Sequence, residues 1–268
     1  MYSGLNLEAP IPFSKHAIIL ISAPFSLVLS RICFDPKEYI VYQPYPGLHV
    51  VYHANRVLYS GRSKYQRIDI IENEAYGIML LLDGNLQHTE FDCHIFNRAL
   101  IRPIVKRRVG EVLVLGGGSG QTAKALLKYA WVRRVTVVEI DSLVVEACRR
   151  HIPGVKKALE DRRLRLHFDN AFHFIKRERR RFGGLILDLT ESWLGGPGEL
   201  DSLYRFVAER CGGVCSCYIG PASPQTGGPQ RLAKHLDSAG RFLKRFRVRK
   251  VFVPSFGCEQ LFLYSEGL

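Results

Sequence analysis

The chain has 268 residues, 47% of them hydrophobic and 24% charged, with a formal net charge of +13. That length is enough to bury a full core, and the composition excludes a disordered, collagenous or membrane-embedded chain. The positive charge is the unusual feature. It gathers at Arg102 to Arg108, Lys176 to Arg181 and Arg241 to Lys250, patches that suit an anionic partner. No recognition module accompanies them, so nucleic acid is the lesser reading beside a solvated basic face.

Residues 1–50 form an N-terminal extension with six prolines and no assignable chemistry. Within it, Ala17 to Leu29 is apolar, but Pro24 interrupts it and it falls short of the roughly twenty residues a spanning helix needs. It reads as an element packed on the main body of a cytoplasmic protein. Residues 51–98 read as a small antiparallel β domain. Strands at Arg67 to Glu72 and Ile78 to Leu82 are separated by Asn73 to Gly77, and Leu82-Asp83-Gly84-Asn85 supplies a second turn. A helix is expected from Phe91 to Ile104, ending before Pro103 or shortly beyond it.

Residues 99–268 carry the pattern that organises the chain. Glu111 to Leu115 is an apolar run of the kind found in parallel strands buried on both faces. Gly116-Gly117-Gly118-Ser119-Gly120, a helix from Gln121 to Tyr129 and a second strand ending at Glu139 complete a βαβ unit. Its glycines let backbone approach a ligand, and an acid about twenty residues on can grip both hydroxyls of a ribose. There is no Gly-Lys-Ser/Thr ending to make a P-loop. Three consecutive glycines followed by a small polar residue suit an adenosine-sulfonium donor better than NAD. Further strands at Leu164 to Phe168, Leu185 to Leu189, Val214 to Ile219, Arg247 to Val253 and Gln260 to Tyr264 alternate with helices. The last two strands are joined as a hairpin. The fold class is therefore α/β, a doubly wound seven-stranded Rossmann-like sheet of the methyltransferase type. Ser119, Glu139, Asn170 and Asp188 all fall at carboxyl ends of strands, where such sheets bind ligands. Thr190 to Asp201, rich in glycine and proline, reads as a loop over the site. The seven cysteines include Cys211, Cys215 and Cys217 in and beside a strand. They complete no zinc set and read as buried thiols, with a disulfide left open.

These residues resemble the polyamine aminopropyltransferases, the spermidine and spermine synthases, from about Val57 to Tyr264. Leu82-Asp83-Gly84-Asn85-Leu86-Gln87-His88-Thr89-Glu90 is similar to the family's LDG..Q.TE segment. Gly116 to Gly120, Val138-Glu139-Ile140-Asp141 and Asp188 fall where its donor and catalytic motifs fall. The resemblance implies transfer of an aminopropyl group from decarboxylated S-adenosylmethionine, a co-substrate rather than a resident cofactor, to a polyamine, without a metal. It also implies a homodimer or homotetramer. Asp188 is the implied amine anchor and proton acceptor. Gln87, Gly116, Gly118, Ser119, Glu139, Asp169 and Asn170 are implied around the donor, and Gln66, Asp92, Glu191 and Glu259 around the acceptor.

The departures are specific. The family's GGGDG acid is Ser119 here, its acid-glycine pair near the adenine is Asn170-Ala171, and its YHE-like triplet is Phe96-Asn97-Arg98. Asp188-Leu189-Thr190 and Val253-Pro254-Ser255-Phe256 are closer to spermine synthase patterns, which tilts the acceptor toward an amine longer than putrescine. Ser119 keeps a methyltransferase as an alternative, and the basic surface keeps a non-catalytic nucleoside- or RNA-binding relative as another.

Overall fold

The computed structural model describes residues 39–45, 48–189 and 198–266, with side chains from Val50 onward. The Ala17 to Leu29 stretch, Glu191 and most of the expected loop from Thr190 lie outside those residues.

Two antiparallel strands, β1 (Tyr39–Tyr45) and β2 (Leu48–His53), precede a four-stranded antiparallel sheet. That sheet runs in chain order as β3 (Arg56–Arg62), β4 (Arg67–Asn73), β5 (Gly77–Leu82) and β6 (Asn85–Thr89). The β5–β6 turn is Asp83-Gly84, with φ of 46° and 76°. Both values are positive, as the tightest hairpin turn demands, and Asp-Gly is the pair that tolerates them. Asp83 Oδ1 also accepts from the Arg67 amide at 2.8 Å, pinning the turn to β4.

Helix α1 (Cys93–Lys106) runs through Pro103 to end beyond it. A proline at that place leaves the carbonyl of Ala99, four residues back, without its helical donor. The buried Tyr264 hydroxyl donates to that oxygen at 2.7 Å, so the helix continues without a lost hydrogen bond. The boundary expected at residue 98 falls inside this helix. Its Ala99, Leu100, Ile101 and Ile104 pack on the large sheet.

The large sheet has seven strands in the order β12-β13-β11-β10-β7-β8-β9. They are β7 (Glu111–Gly116), β8 (Arg134–Glu139), β9 (Leu164–Phe168), β10 (Phe182–Asp188), β11 (Cys211–Pro221), β12 (Phe246–Val253) and β13 (Cys258–Glu266). The five from β7 to β11 are parallel, and β13 lies antiparallel between β11 and β12. The connecting helices are α2 (Gln121–Leu127), α3 (Ser142–His151), α4 (Val155–Leu159), α5 (Ala171–Arg177), α6 (Glu199–Arg210) and α7 (Gly228–Phe242). Alternation along β7 splits the core. Val112 and Val114 pack with α1 and α2 on one face, and Leu113 and Leu115 pack with α5, α6 and α7 on the other. Helices α3 and α4 turn Val144, Cys148, Ile152 and Val155 toward Ile68, Ile70 and Leu80 of the four-stranded sheet. This apolar seam fixes the small sheet over the carboxyl ends of the parallel strands.

The seven-stranded doubly wound arrangement expected from the sequence is what the chain forms. The sequence pattern predicts helices from Gln121 to Tyr129 and, after Asn170, through Arg181; both are shorter, α2 stopping at Leu127 and α5 at Arg177. Residues 178–181 instead lead into β10, whose first residue, Phe182, is buried. Cys211, Cys215 and Cys217 are buried free thiols, and burial pushes all three thiol pKa values up.

Candidate active site

A cavity of about 450 Å³ opens where the small sheet meets the ends of β7, β8, β9 and β10. At its centre the chain leaves β7 through Gly116, with φ of 83°. A Cβ there would lie 2.1 Å from the Asp188 carbonyl oxygen, so only glycine lets β7 and β10 end side by side. Gly118 is required for a different contact, because a Cβ would lie 2.6 Å from Oε2 of Glu139. The glycine loop and the acid at the end of β8 are therefore packed against one another.

Glu139 accepts from the Asp141 amide at 2.9 Å through Oε1, and burial pushes its pKa up. Asp141 is buried and uses both oxygens. Oδ1 caps α3 by accepting from Leu143 and Val144 amides. Oδ2 accepts from Ser63 Oγ at 2.7 Å and from Gln66 Nε2 at 3.0 Å. Gln66 thus reaches the cavity wall as a link between the small sheet and the start of α3.

Beyond β9, Asn170 caps α5, its Oδ1 accepting from Phe172 and His173 amides at 2.8 and 3.3 Å. Asp169 sits beside it and is ion-paired with Arg177. Ser119 lines the cavity, its hydroxyl oxygen 3.4 Å from the Gln121 amide. Gln87 lines it too, its amide nitrogen 3.3 Å from the Asn85 carbonyl.

Asp188 closes β10 at the cavity floor. Burial raises its pKa to about 6, and a hydrogen bond from Thr122 Oγ1 to Oδ2 at 2.9 Å opposes that rise. The facing wall is made by α1 and the C-terminal hairpin. Phe96 packs edge-on against Tyr218, with ring centroids 4.9 Å apart, and is stacked with Phe256 at 6.2 Å. All three rings line the cavity.

Asp92 also lines the cavity but is 1% exposed, and its carboxylate is already engaged. It accepts from Thr89 Oγ1 at 2.6 Å, from the Ser255 amide at 2.7 Å and from Ser255 Oγ at 2.8 Å. It holds the small sheet to the C-terminal hairpin. Glu259 is not brought to the cavity: it lies exposed, 3.5 Å from Lys250 Nζ. The neighbouring Gln260 turns inward instead and accepts from the Tyr218 hydroxyl at 2.7 Å. Sequence reasoning assigned no role to Thr122, Tyr218, Asp141 or Phe256, although the last two stood in motifs that carry the resemblance. Only Asp141 had a local signal, an acid immediately before a helix.

A spermine/spermidine synthase domain matches residues 102–204, and a spermidine synthase tetramerisation domain matches residues 38–90. Polyamine aminopropyltransferase 1 of Hyperthermus butylicus is 36% identical over 239 residues, which is 84% of this chain and 80% of that protein. The chain belongs to the spermine/spermidine synthase family.

A polyamine aminopropyltransferase of Clostridium perfringens is 35% identical over 144 residues, 53% of this chain and 50% of that one. Among solved structures, a spermidine synthase in complex with the transition state analogue AdoDATO superposes with a TM-score of 0.78 at 25% identity. It covers 87% of this chain and 82% of that one. The Thermotoga maritima spermidine synthase, at 23% identity and a TM-score of 0.76, has the same fold over 87% of this chain and 80% of its own. Among the described residues, no Lys or Arg lines the cavity, so its charged wall is carboxylate alone.

Proposed function

We propose that the chain is an aminopropyltransferase that moves an aminopropyl group from decarboxylated S-adenosylmethionine to a polyamine and releases methylthioadenosine. One observation carries the reading: a single cavity has the ribose-type acid Glu139 behind the glycine loop and the partly buried Asp188 at its floor. An alkylammonium, with a pKa near 10.4, presents no lone pair at neutral pH. Asp188, ionised above about pH 6, binds the ammonium, takes one of its protons and aims the freed lone pair. The nitrogen then attacks the methylene beside the sulfonium in line, the carbon–sulfur bond breaks, and its electron pair leaves on sulfur.

The other residues fit roles around these two. Glu139 accepts from the ribose hydroxyls. Asn170 spends Oδ1 on its helix cap and keeps Nδ2 for an adenine nitrogen, while Asp169 supplies an acceptor for the adenine amino group. Gly116 and Gly118 bring backbone against the donor, and Gln87 and Ser119 flank its aminopropyl end. Phe96, Tyr218 and Phe256 suit the methylene chain of the acceptor, with Gln66 and Asp92 at the wall and Glu191 in the segment after β10. The match of residues 38–90 to a tetramerisation domain supports a homo-oligomer.

One feature favours a second reading. Ser119 is neutral and does not repel a donor carboxylate, as a methyltransferase requires. Incubation with decarboxylated S-adenosylmethionine or S-adenosylmethionine, each with an amine panel, separates the two by mass spectrometry. Aminopropylated amine and methylthioadenosine are expected. A methylated amine as the only product would overturn the proposal.

A further inference from the structure

Thr122, 2% exposed in the first turn of α2, stands between two oxygen acceptors. Its Oγ1 is 2.9 Å from Asp188 Oδ2 and 3.4 Å from Asn97 Oδ1. The Asn97 amide is fixed from behind, because Nδ2 donates to the Cys93 carbonyl at 2.8 Å, which leaves Oδ1 facing the threonine. A threonine in a helix ordinarily turns its hydroxyl back onto its own helix or out to water. This one reaches across to β10 and α1. A hydroxyl has one proton, so it serves one of these acceptors at a time.

We propose that Thr122 is a positioning residue whose hydroxyl rotates with the protonation state of Asp188, donating to Asp188 when that carboxylate is ionised and to Asn97 when it is protonated. The inference rests on the assignment of Asp188 as proton acceptor. In the resting site the charged oxygen takes the hydroxyl proton, the shorter and stronger bond. When an ammonium N–H bond breaks and the proton arrives on Oδ2, the new Asp188 O–H donates to the Oγ1 lone pair. The Thr122 proton then swings to Asn97 Oδ1. No heavy atom moves, and both states of the base stay hydrogen-bonded in a place where an unmade bond is costly.

The groups around Asp188 leave this assignment clear. From β11, Cys217 faces it as a thiol pushed up to about 12, neutral while the enzyme works. From β7, Gly116 and Gly117 present only backbone and space. Glu139 from β8 and Asp92 from the start of α1 share the cavity, each held by its own partners. His88 of β6 lines the same cavity and is pushed down to about 4 by burial, so it stays uncharged. The Thr122 hydrogen bond pulls Asp188 down from where burial alone would leave it.

The test is the acid limb of kcat/KM against pH, which reports the essential base of the free enzyme. It is paired with a carbon-13 titration of the Asp188 carboxyl, which needs no turnover. Thr122→Val, nearly the same shape, removes the donor and is expected to move limb and titration up by about one pH unit. Thr122→Ser keeps a hydroxyl and should return both to the native position. Asn97→Leu removes the second acceptor, disfavours the protonated state and should move them down by about half a unit. Thermal melts establish that each variant folds. A folded Thr122→Val protein with limb and titration both unmoved would overturn the inference while leaving Asp188 as base. An Asp188→Asn protein that keeps turnover and the limb would instead remove the base assignment itself.

Discussion

The two sides of the cavity are built by opposite means. The sheet side is backbone-defined: strand ends, a glycine loop and an acid at the next strand end come from about thirty consecutive residues. The opposite wall is made of side chains brought together from the small sheet, α1 and the C-terminal hairpin. Its central bond, from Ser255 to Asp92, spans 163 residues. The sheet side is therefore rigid and tolerates few substitutions, whereas the wall depends on tertiary packing and is the place where specificity can vary.

The largest expected effect tests where the two sides meet. Asp188→Asn should cut turnover about a hundredfold or more while leaving donor affinity, read by calorimetry, nearly unchanged. The same variant carries a stability prediction of definite sign. Asp188 is raised from 3.8 to about 6 on folding. Its contribution is full below the lower value and lost as pH rises through the upper one. Asp188→Asn should therefore be more stable than native protein at pH 8, by at most about 3 kcal/mol in denaturant melts, and should gain nothing at pH 4. No gain at pH 8 would mean that the carboxylate is not strained by burial.

The wall is broken most directly by Asp92→Ala, which strands the Ser255 amide and two hydroxyls in the interior. A loss of about 2–4 kcal/mol in chemical denaturation is expected. Its signature in kinetics should be a higher KM for the amine rather than for the donor. If the loss falls on the donor instead, the division between the two sides is wrong. On the sheet side, Glu139→Ala should weaken methylthioadenosine binding by about 1.5 kcal/mol, the scale of hydrogen bonds to a charged acceptor. Smallest of all, Glu259→Gln should change stability and KM by no more than about 0.5 kcal/mol, as for other exposed ion pairs.

The same division explains what could be read from the residues in order. Gly116 to Gly120, Glu139 and Asp188 lie within or beside recognisable strands, so strand pattern and the glycine motif placed them at strand ends, and the family resemblance added the role of Asp188. Glu259 shows how a resemblance can fail by one residue. On β13 neighbouring side chains point to opposite faces. Gln260 is the one turned toward Tyr218, and Glu259 is left with Lys250. Asp92 stood just beyond a matching segment, but its partner lies in the last hairpin, and nothing local pairs Ser255 with it. Thr122 carried no signal either, since a threonine in the first turn of a helix is ordinary until β10 is seen beside it.

The bond between Asp92 and Ser255 also sets an order of events as the chain is made. Asp92 leaves the ribosome with its future partner 163 residues behind it. At ordinary rates of about 5–20 residues per second, that gap is on the order of ten seconds or more. Until then the carboxylate has Thr89 but lacks the two Ser255 donors that complete its burial, so the small sheet cannot settle into its final closure. The glycine loop and Glu139 are complete long before. The nascent protein thus has a finished floor and an unfinished roof, and it gains its enclosed cavity only when its last hairpin folds back over it.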